Sequence, residues 1–174
     1  MSEDQGEDLL ALAGELLDLL AQRGWCLGTA ESLTGGMVGE TITAVPGASV
    51  SYMGGVIGYT DRAKTALLGV PAELLEQRGA VSAEVAEAMA EGCRDRLNVH
   101  IGLATTGIAG PASDDRGTPV GTVFVACAAP GGCAAERLSL DGDRRQIRVL
   151  STRATLRLAI RLLQTTPPGA EETT

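Results

Sequence analysis

Residues Trp25-Cys-Leu-Gly-Thr-Ala-Glu-Ser-Leu-Thr-Gly-Gly36 are the most informative about the fold, because an apolar run ends there in a glycine-rich turn. Residues 25–30 are typical of a short buried strand, and residues 31–36 interrupt it. A helix is predicted to follow through Val45. This order of strand, turn and helix indicates an α/β unit, in which ligands gather in the loops beyond the strand ends.

The same alternation continues on both sides of this stretch. Leucine repeats at helical spacing over residues 8–23, and Gly24 is expected to end that helix. Further strands are predicted at 52–59, 99–105, 120–127 and 134–140, and further helices at 61–69, at 71–78, from Ser82 and at 143–163. Asp61 and Ser82 are the expected N-caps of two of these helices. The pattern predicts a three-layer α/β/α sandwich with a mixed sheet of about five strands.

A chain of 174 residues fits one domain. We predict a single domain over residues 8–163, with disordered tails at 1–7 and 164–174. Acidic residues gather in both tails, so part of the net charge of −8 belongs to solvated ends.

Composition excludes several classes of function. Aromatic residues make up 2% of the chain, too few for a base-stacking surface, and the acidic balance argues against nucleic-acid binding. We found neither a signal peptide nor a run of membrane-spanning length, so we expect a soluble cytoplasmic protein with no membrane partner. The four cysteines lack zinc-type spacing and indicate buried thiols, and we expect no metal.

Lys64 is the single lysine among 14 basic residues, the rest being arginine. Arginine stays protonated in proteins, whereas a desolvated lysine can become a neutral base. A lysine that only solvates a helix face would be the ordinary interpretation. The strong arginine bias makes Lys64 the candidate proton acceptor instead.

Two hydroxyl groups are candidates to act together with the Lys64 amine in catalysis. Ser49 follows a Pro-Gly turn, where an exposed serine can act as a nucleophile if a base reaches it. Tyr59 lies five residues before Lys64, so its phenol could relay a proton or orient the amine. The alternatives are an ordinary turn serine and a tyrosine at the rim of a cleft.

Three further segments could hold a ligand. The main chain of Thr34-Gly35-Gly36 could bind an anion at a helix N-terminus, with Ser32 adding a hydroxyl donor, although Ser32 could also be an ordinary helix cap. Thr106 could donate to an oxyanion or a phosphate. Arg144 opens the last helix, where a cation is unfavourable unless an anion offsets the dipole. Asp114 and Asp115 are interpreted as solvated.

Several motifs together resemble the C-terminal domain of the competence/damage-inducible protein CinA, a family that includes nicotinamide-nucleotide amidohydrolases. The resemblance spans residues 8–163 and rests on Thr29-Ala-Glu-Ser-Leu-Thr-Gly-Gly36, Pro46-Gly-Ala-Ser49, Gly55-Val-Ile-Gly-Tyr59 with Lys64, Gly79-Ala-Val-Ser82, Thr106-Gly-Ile-Ala-Gly-Pro111, Pro119-Val-Gly-Thr-Val123 and Gly142-Asp-Arg144. Larger members carry an N-terminal domain, which we expect this chain to lack.

The resemblance implies hydrolysis of nicotinamide mononucleotide to nicotinate mononucleotide and ammonia, without a cofactor, by a homodimer. It makes Ser49 the nucleophile, Lys64 its basic partner and Tyr59 the assisting phenol. Thr106 would stabilise the oxyanion. The substrate would be held by residues of the glycine-bearing loops and the last helix, namely Ser32, Thr34, Gly35, Gly36, Gly107 and Arg144.

Three positions depart from the family pattern. Ala48 stands where the family has a first serine, which leaves Ser49 alone. Residues 112–115 replace a glycine pair, and Thr118 replaces a lysine. A non-catalytic nucleotide-binding module linked to competence or DNA damage is therefore one alternative, and an amidohydrolase acting on another small amide is a second.

Overall fold

The computed structural model describes residues 3–165, with side chains from Asp8 onward. Its elements in chain order are α1 (Glu3–Ala21), β1 (Leu27–Glu31), α2 (Met37–Thr43), a 3₁₀ turn (Ala48–Val50), β2 (Tyr52–Ile57), α3 (Asp61–Leu68), α4 (Ala72–Arg78), α5 (Ala83–Leu97), β3 (Ile101–Gly107), β4 (Thr122–Ala129), β5 (Gly132–Ser139) and α6 (Arg144–Thr165). No helix within residues 3–165 is long and apolar enough to cross a membrane.

The five strands form one mixed sheet in the order β2-β1-β3-β4-β5. β1 runs parallel to both β2 and β3, with Glu31 opposite Ile57 on one side and Thr105 on the other. β4 and β5 complete the sheet as the predicted antiparallel hairpin. The carboxyl ends of three parallel strands therefore meet at one edge of the sheet.

Two apolar cores cover the two faces of this sheet. Helices α1, α2 and α6 pack on one face, against residues such as Leu27, Leu103 and Val125. Helices α3, α4 and α5 pack on the other face, against Ala30, Ala104 and Ala126. Because successive strand residues point to opposite faces, both cores draw on the same strands. The predicted three-layer α/β sandwich is confirmed.

Three local predictions change at the helix ends. α1 begins at Glu3, so helix reaches into the segment 1–7 that we predicted as a tail, while residues 1 and 2 lie outside the described part. α6 ends at Thr165, and most of the predicted C-terminal tail likewise lies outside it. The N-cap of α3 is Thr60 rather than Asp61, because the Thr60 hydroxyl accepts from the Ala63 N–H.

Other caps follow the sequence. The Ser82 side chain accepts from the Val85 N–H and caps α5 as predicted. Asp143 and Gln146 exchange hydrogen bonds, each side chain accepting from the other residue's main-chain N–H. This reciprocal pair is a capping box, and it begins α6 at Arg144.

Gly102→Ala is expected to destabilise the fold by about 3 kcal/mol, because a Cβ at Gly102 would lie 2.0 Å from the carbonyl oxygen of Ala90. Helix α5 packs its backbone against β3 at this point. The free energy of unfolding in urea measures the effect. Gly14→Ala is the matched control, since a Cβ at Gly14 meets nothing within 4 Å. An equal, small effect in both variants would contradict this account of the packing.

Candidate active site

The carboxyl edge of the parallel strands gathers polar side chains from five elements. Ser32 follows β1, Tyr59 follows β2 and Thr106 lies near the end of β3. Lys64 comes from α3, and Arg144 is the first residue of α6. All five line one cavity of ≈ 240 Å³. The convergence of the glycine-bearing loops 31–36 and 107–121 follows from the parallel pairing.

Lys64 is the buried cation of this cavity, with 2% of its surface exposed. Its Nζ donates to the Ser32 hydroxyl at 3.2 Å and lies 3.9 Å from Asp61 Oδ1. Burial lowers the pKa of the Lys64 amine, and the Asp61 carboxylate partly offsets this by favouring the charged form. The amine therefore releases its proton more readily than a solvated lysine does.

Ser49 lies at the other end of β2 and is exposed. It precedes Tyr52, the residue paired with the start of β1, whereas the cavity lies beyond Ile57 at the far end of the strand. A six-residue strand spans roughly 17 Å or more. The expected contact of Ser49 with Lys64 within one chain is therefore wrong, and Ser32 occupies that position.

The main-chain N–H groups at the start of α2 are already occupied. The Glu31 carboxylate is 2% exposed and accepts from Gly36 and Gly39 at 2.9 Å and from Val38 at 3.1 Å. A substrate anion cannot use these donors while Glu31 holds them. The prediction that the main chain of Thr34-Gly35-Gly36 binds a substrate anion is therefore wrong. The Glu31 carboxylate of the same chain occupies the start of α2 instead.

The Ser32–Gly36 loop is held from two further directions. The Thr34 hydroxyl shares a hydrogen bond of 2.7 Å with the Thr105 hydroxyl, and Thr34 is fully buried. Arg148 donates from Nε and from its terminal nitrogen to the Thr34 carbonyl, at 3.2 and 2.6 Å. Thr34 is therefore part of the support for Ser32, and its buried side chain does not line the cavity, in contrast to its predicted contact with substrate.

Thr106 lines the cavity, but its hydroxyl donates to the Ala80 carbonyl at 2.6 Å. That proton is therefore committed, which disfavours the predicted oxyanion role for the Thr106 side chain. Gly107 also lines the cavity, and a Cβ there would lie 2.7 Å from the Thr122 carbonyl oxygen. Close approach of β4 accounts for glycine at position 107.

Tyr59 and Arg144 meet at the rim of the cavity. Arg144 donates to the Tyr59 hydroxyl at 3.1 Å and to the Gly110 carbonyl. Tyr59 is 57% exposed. The phenol thus contacts the guanidinium rather than the Lys64 amine, and the pair presents a positive, hydrogen-bonding rim.

Asp114 is not simply solvated, in contrast to our interpretation of the sequence. It lines the cavity and accepts from the N–H groups of Arg116 and Thr118, at 3.1 and 2.8 Å. Slight burial acts to raise the pKa of Asp114, but the hydrogen bonds from Thr118 and Arg116 outweigh it and lower the pKa. Asp114 therefore shapes the loop that departs from the family pattern, while Asp115 is exposed as expected.

A larger cavity of ≈ 610 Å³ lies beside the first and shares Asp61 and Ala80 with it. Arg62 and Arg116 line it, and it contains neither serine nor lysine. The smaller cavity holds the lysine–serine pair, and the larger one offers adjoining space lined by two guanidinium groups and by the carboxylates of Asp61 and Glu76.

Sequence reasoning missed the structural roles of Glu31 and Arg148. Glu31 is part of the quoted motif, and its signal was an acidic residue at the end of a buried strand, five residues before the N-cap of a helix. Arg148 carried no local signal, since its contact with Thr34 spans 114 residues. The pairing of Ser32 with Lys64 likewise depends on the sheet.

The protein is thus a three-layer α/β domain with a buried lysine–serine pair beyond the carboxyl ends of its parallel strands. The chain belongs to the CinA C-terminal domain family, whose sequence profile matches residues 9–163. The resemblance stated from the sequence is thereby confirmed.

Known proteins support this membership. The chain is 44% identical over 156 residues to a CinA-like protein of Geotalea daltonii, covering 87% of this chain and 38% of that protein. It is 49% identical over 144 residues to a CinA-like protein of Gemmatimonas aurantiaca, covering 83% of this chain and 33% of that protein. The chain thus spans only about a third to two fifths of the length of these curated relatives.

Solved structures show the same fold. The competence damage-inducible protein A of Klebsiella pneumoniae has a TM-score of 0.89 and 32% identity, covering 91% of this chain and 99% of that chain. The competence/damage inducible protein of Agrobacterium tumefaciens has a TM-score of 0.85 and 35% identity, covering 89% and 95%.

Proposed function

We propose that this domain is an amidohydrolase that converts nicotinamide mononucleotide to nicotinate mononucleotide and ammonia. The observation that supports it most strongly is the buried Lys64 amine in hydrogen-bond contact with the Ser32 hydroxyl. A serine–lysine pair attacks carbonyl carbons when burial weakens the amine's hold on its proton. Membership of the CinA family agrees with this activity, which the resemblance implied.

In this proposal the neutral Lys64 amine accepts the proton of a serine hydroxyl, and the serine oxygen attacks the carboxamide carbon. Within one chain the hydroxyl that Lys64 contacts is that of Ser32. The protonated amine then donates to the leaving nitrogen, so that ammonia departs. Water attacks the resulting acyl ester while Lys64 accepts its proton, and Lys64 returns that proton to the serine oxygen as the ester bond breaks and the acid departs. The main-chain N–H of Leu33, in the wall of the same cavity, would contact the oxyanion.

The two adjoining cavities suit a nucleotide amide. The smaller one would hold the nicotinamide ring beside Lys64, with Arg144 at its rim. The larger one would take the ribose phosphate near Arg62 and Arg116. Guanidinium groups can fork onto an anion, and Arg62 is exposed at the larger cavity, whereas a terminal nitrogen of Arg116 already donates to the Leu75 and Glu76 carbonyls. Together they provide positive charge that the occupied α2 N-terminus does not.

Ammonia release from nicotinamide mononucleotide tests the function directly. We expect turnover by the purified chain, and turnover slower by about a thousandfold with Lys64→Arg. A panel of other small amides in the same assay identifies a different preferred substrate.

Binding of nicotinamide mononucleotide without turnover would contradict the enzyme and support the nucleotide-binding module. The observation that favours this second function is the loop of residues 112–118, which departs from the family pattern and places Asp114 in the wall of the smaller cavity.

Arg144→Ala is expected to raise KM for nicotinamide mononucleotide by about tenfold to a hundredfold, with a smaller effect on kcat. The guanidinium is positioned by the Tyr59 hydroxyl and the Gly110 carbonyl at the cavity rim. Steady-state kinetics measure both constants. Arg145→Ala, which removes a cation one residue further along the same helix, is the control. An unchanged KM in Arg144→Ala would contradict its role in substrate binding.

The pH profile of kcat/KM should show a rising limb below the ordinary range of lysine. Burial lowers the pKa of Lys64, and only the neutral amine accepts a proton, so activity grows as pH rises through that pKa. Asp61 raises this pKa, so Asp61→Asn should move the limb to lower pH. Asp115→Asn, which changes an exposed carboxylate, is the control. A shift of the limb to higher pH in Asp61→Asn would contradict the assignment of the base.

A further inference from the structure

We propose that Asp114 selects the oxidised, positively charged nicotinamide ring of a nucleotide over the reduced, neutral ring. Asp114 lies in the wall of the smaller cavity, where the ring would bind, and acts there as a specificity-determining residue. This inference rests on the proposed function, which supplies the ligand, and it extends that function to the charge of the ring.

The smaller cavity is unfavourable for a cation unless a carboxylate offsets its positive groups. Arg144 is a permanent cation in its wall, and Lys64 is a second one whenever its amine is protonated. The ring nitrogen of nicotinamide mononucleotide is bonded to the ribose and carries a permanent positive charge. Moving such a charge out of water and beside other cations costs free energy. Binding of the ring therefore requires a negative group in the cavity wall.

Two carboxylates line this cavity, those of Asp61 and Asp114. Asp61 Oδ1 lies 3.9 Å from the Lys64 Nζ, so its negative charge is largely balanced by that amine when the amine is protonated. Among the described side chains none forms an ion pair with Asp114. Asp114 is therefore the carboxylate that remains available to the ring.

The Asp114 carboxylate is charged and fixed in position. The main-chain N–H groups of Arg116 and Thr118 both donate to Oδ1, so neither of these bonds uses Oδ2. The Gly117 N–H donates to the Asp114 carbonyl at 3.0 Å and closes the turn. Slight burial acts to raise the pKa of Asp114, but the hydrogen bonds lower it, which keeps the carboxylate ionised at neutral pH. A carboxylate fixed in this way loses little conformational entropy when a cation binds.

Arg116 attaches the same turn to the neighbouring helix. Its terminal nitrogen donates to the Leu75 and Glu76 carbonyls, near the end of α4. Its side chain also occupies the space beside Gly79, where a Cβ would lie 3.0 Å from the Arg116 Cδ. The guanidinium therefore contacts main-chain oxygens in the wall of the larger cavity, while Asp114 of the same turn faces the smaller one.

The oxidised and reduced forms of 3-acetylpyridine mononucleotide test this selection by titration calorimetry. The two forms share every heavy atom and differ by one hydride and one positive charge. Their acetyl group replaces the carboxamide, so there is no amide bond to hydrolyse. Contacts with the phosphate are common to both forms and cancel in the ratio of affinities. We expect the wild-type chain to bind the oxidised form about fivefold more tightly.

Asp114→Asn removes the charge but keeps an oxygen for the N–H groups of Arg116 and Thr118. It should weaken binding of the oxidised form by about fivefold and of the reduced form by less than about twofold. Asp115→Asn, which changes an exposed carboxylate that lines neither cavity, is the matched control and should change neither affinity. An equal loss for both forms in Asp114→Asn would mean that Asp114 only supports the loop, and would overturn the proposal.

Salt provides a measurement that needs no variant. The preference of the wild-type chain for the oxidised form should decline between about 0.05 M and about 0.5 M sodium chloride, because ions screen a partly exposed carboxylate. A preference that does not change with salt would overturn the proposal, as would equal affinity for the two forms or binding of neither. Selection of the oxidised form without ammonia release from nicotinamide mononucleotide would refute the proposed function alone. Ammonia release without this selection would refute the inference alone.

Discussion

Lys64→Arg is expected to lower the rate of ammonia release from nicotinamide mononucleotide by about a thousandfold. Arginine keeps the positive charge of lysine but cannot act as a base, so the variant separates charge from proton acceptance. Lys64 is the single lysine of the chain, and its amine touches Ser32 inside the cavity. Single-turnover measurements with saturating substrate report this chemical step.

A second variant keeps that test decisive if the larger guanidinium disturbs the buried site. Lys64→Met has a similar length and removes the charge, so the fold should be retained or stabilised when a buried amine no longer needs solvation. Its activity should fall by the same factor. Arg157→Ala, which removes an exposed cation of α6 that lines neither cavity, is the control and should leave the chemical step unchanged. Rapid turnover by Lys64→Met would show that another group is the base.

Glu31→Gln is expected to reduce the free energy of unfolding by about 3 kcal/mol, because the buried carboxylate accepts three main-chain hydrogen bonds at the start of α2. An amide has one oxygen and one donating nitrogen, so at least one N–H group would face a donor. Activity should fall as well, since the loop that begins at Ser32 loses one of its supports. Urea unfolding, followed by far-ultraviolet circular dichroism, measures the stability.

Glu40→Gln provides the control for that experiment. Glu40 also lies in the first turn of α2 but is exposed, so its charge contributes only through the helix dipole. Its replacement should cost less than about 1 kcal/mol. Equal losses in the two variants would mean that the negative charge, rather than the three hydrogen bonds, explains the contribution of Glu31.

Most of the architecture could be predicted from local patterns. All five strands, the hairpin at residues 130–132 and the Ser82 cap follow from periodicity and from residues with strong turn or cap preferences. The ends of helices were less accurate. Thr60 caps α3 in place of Asp61, because a hydroxyl one residue earlier was available. Such choices differ by little free energy, and the sequence pattern does not distinguish them.

The candidate site was predicted less completely, for a definite physical reason. Lys64 was identified because lysine, unlike arginine, can lose its proton in a protein. Its burial agrees with this prediction, because burial lowers the pKa of the amine. Its partner was assigned to Ser49, whereas the contact is with Ser32, at a separation of 32 residues along the chain. A glycine-rich turn has the same sequence pattern whether its N–H groups bind a ligand anion or a carboxylate of the same chain. The role of Glu31 therefore could not be predicted from the pattern.

Residue types and local patterns were enough to predict the family, the alternation of helices and strands, and one lysine whose amine can act as a base. These features depend on the side chains themselves and on contacts between neighbours along the chain. The identity of the hydroxyl that contacts this amine, and of the carboxylate at the start of α2, required the three-dimensional arrangement. Both depend on the parallel register of β1 with β2 and β3, a pairing of distant segments that side-chain periodicity does not encode.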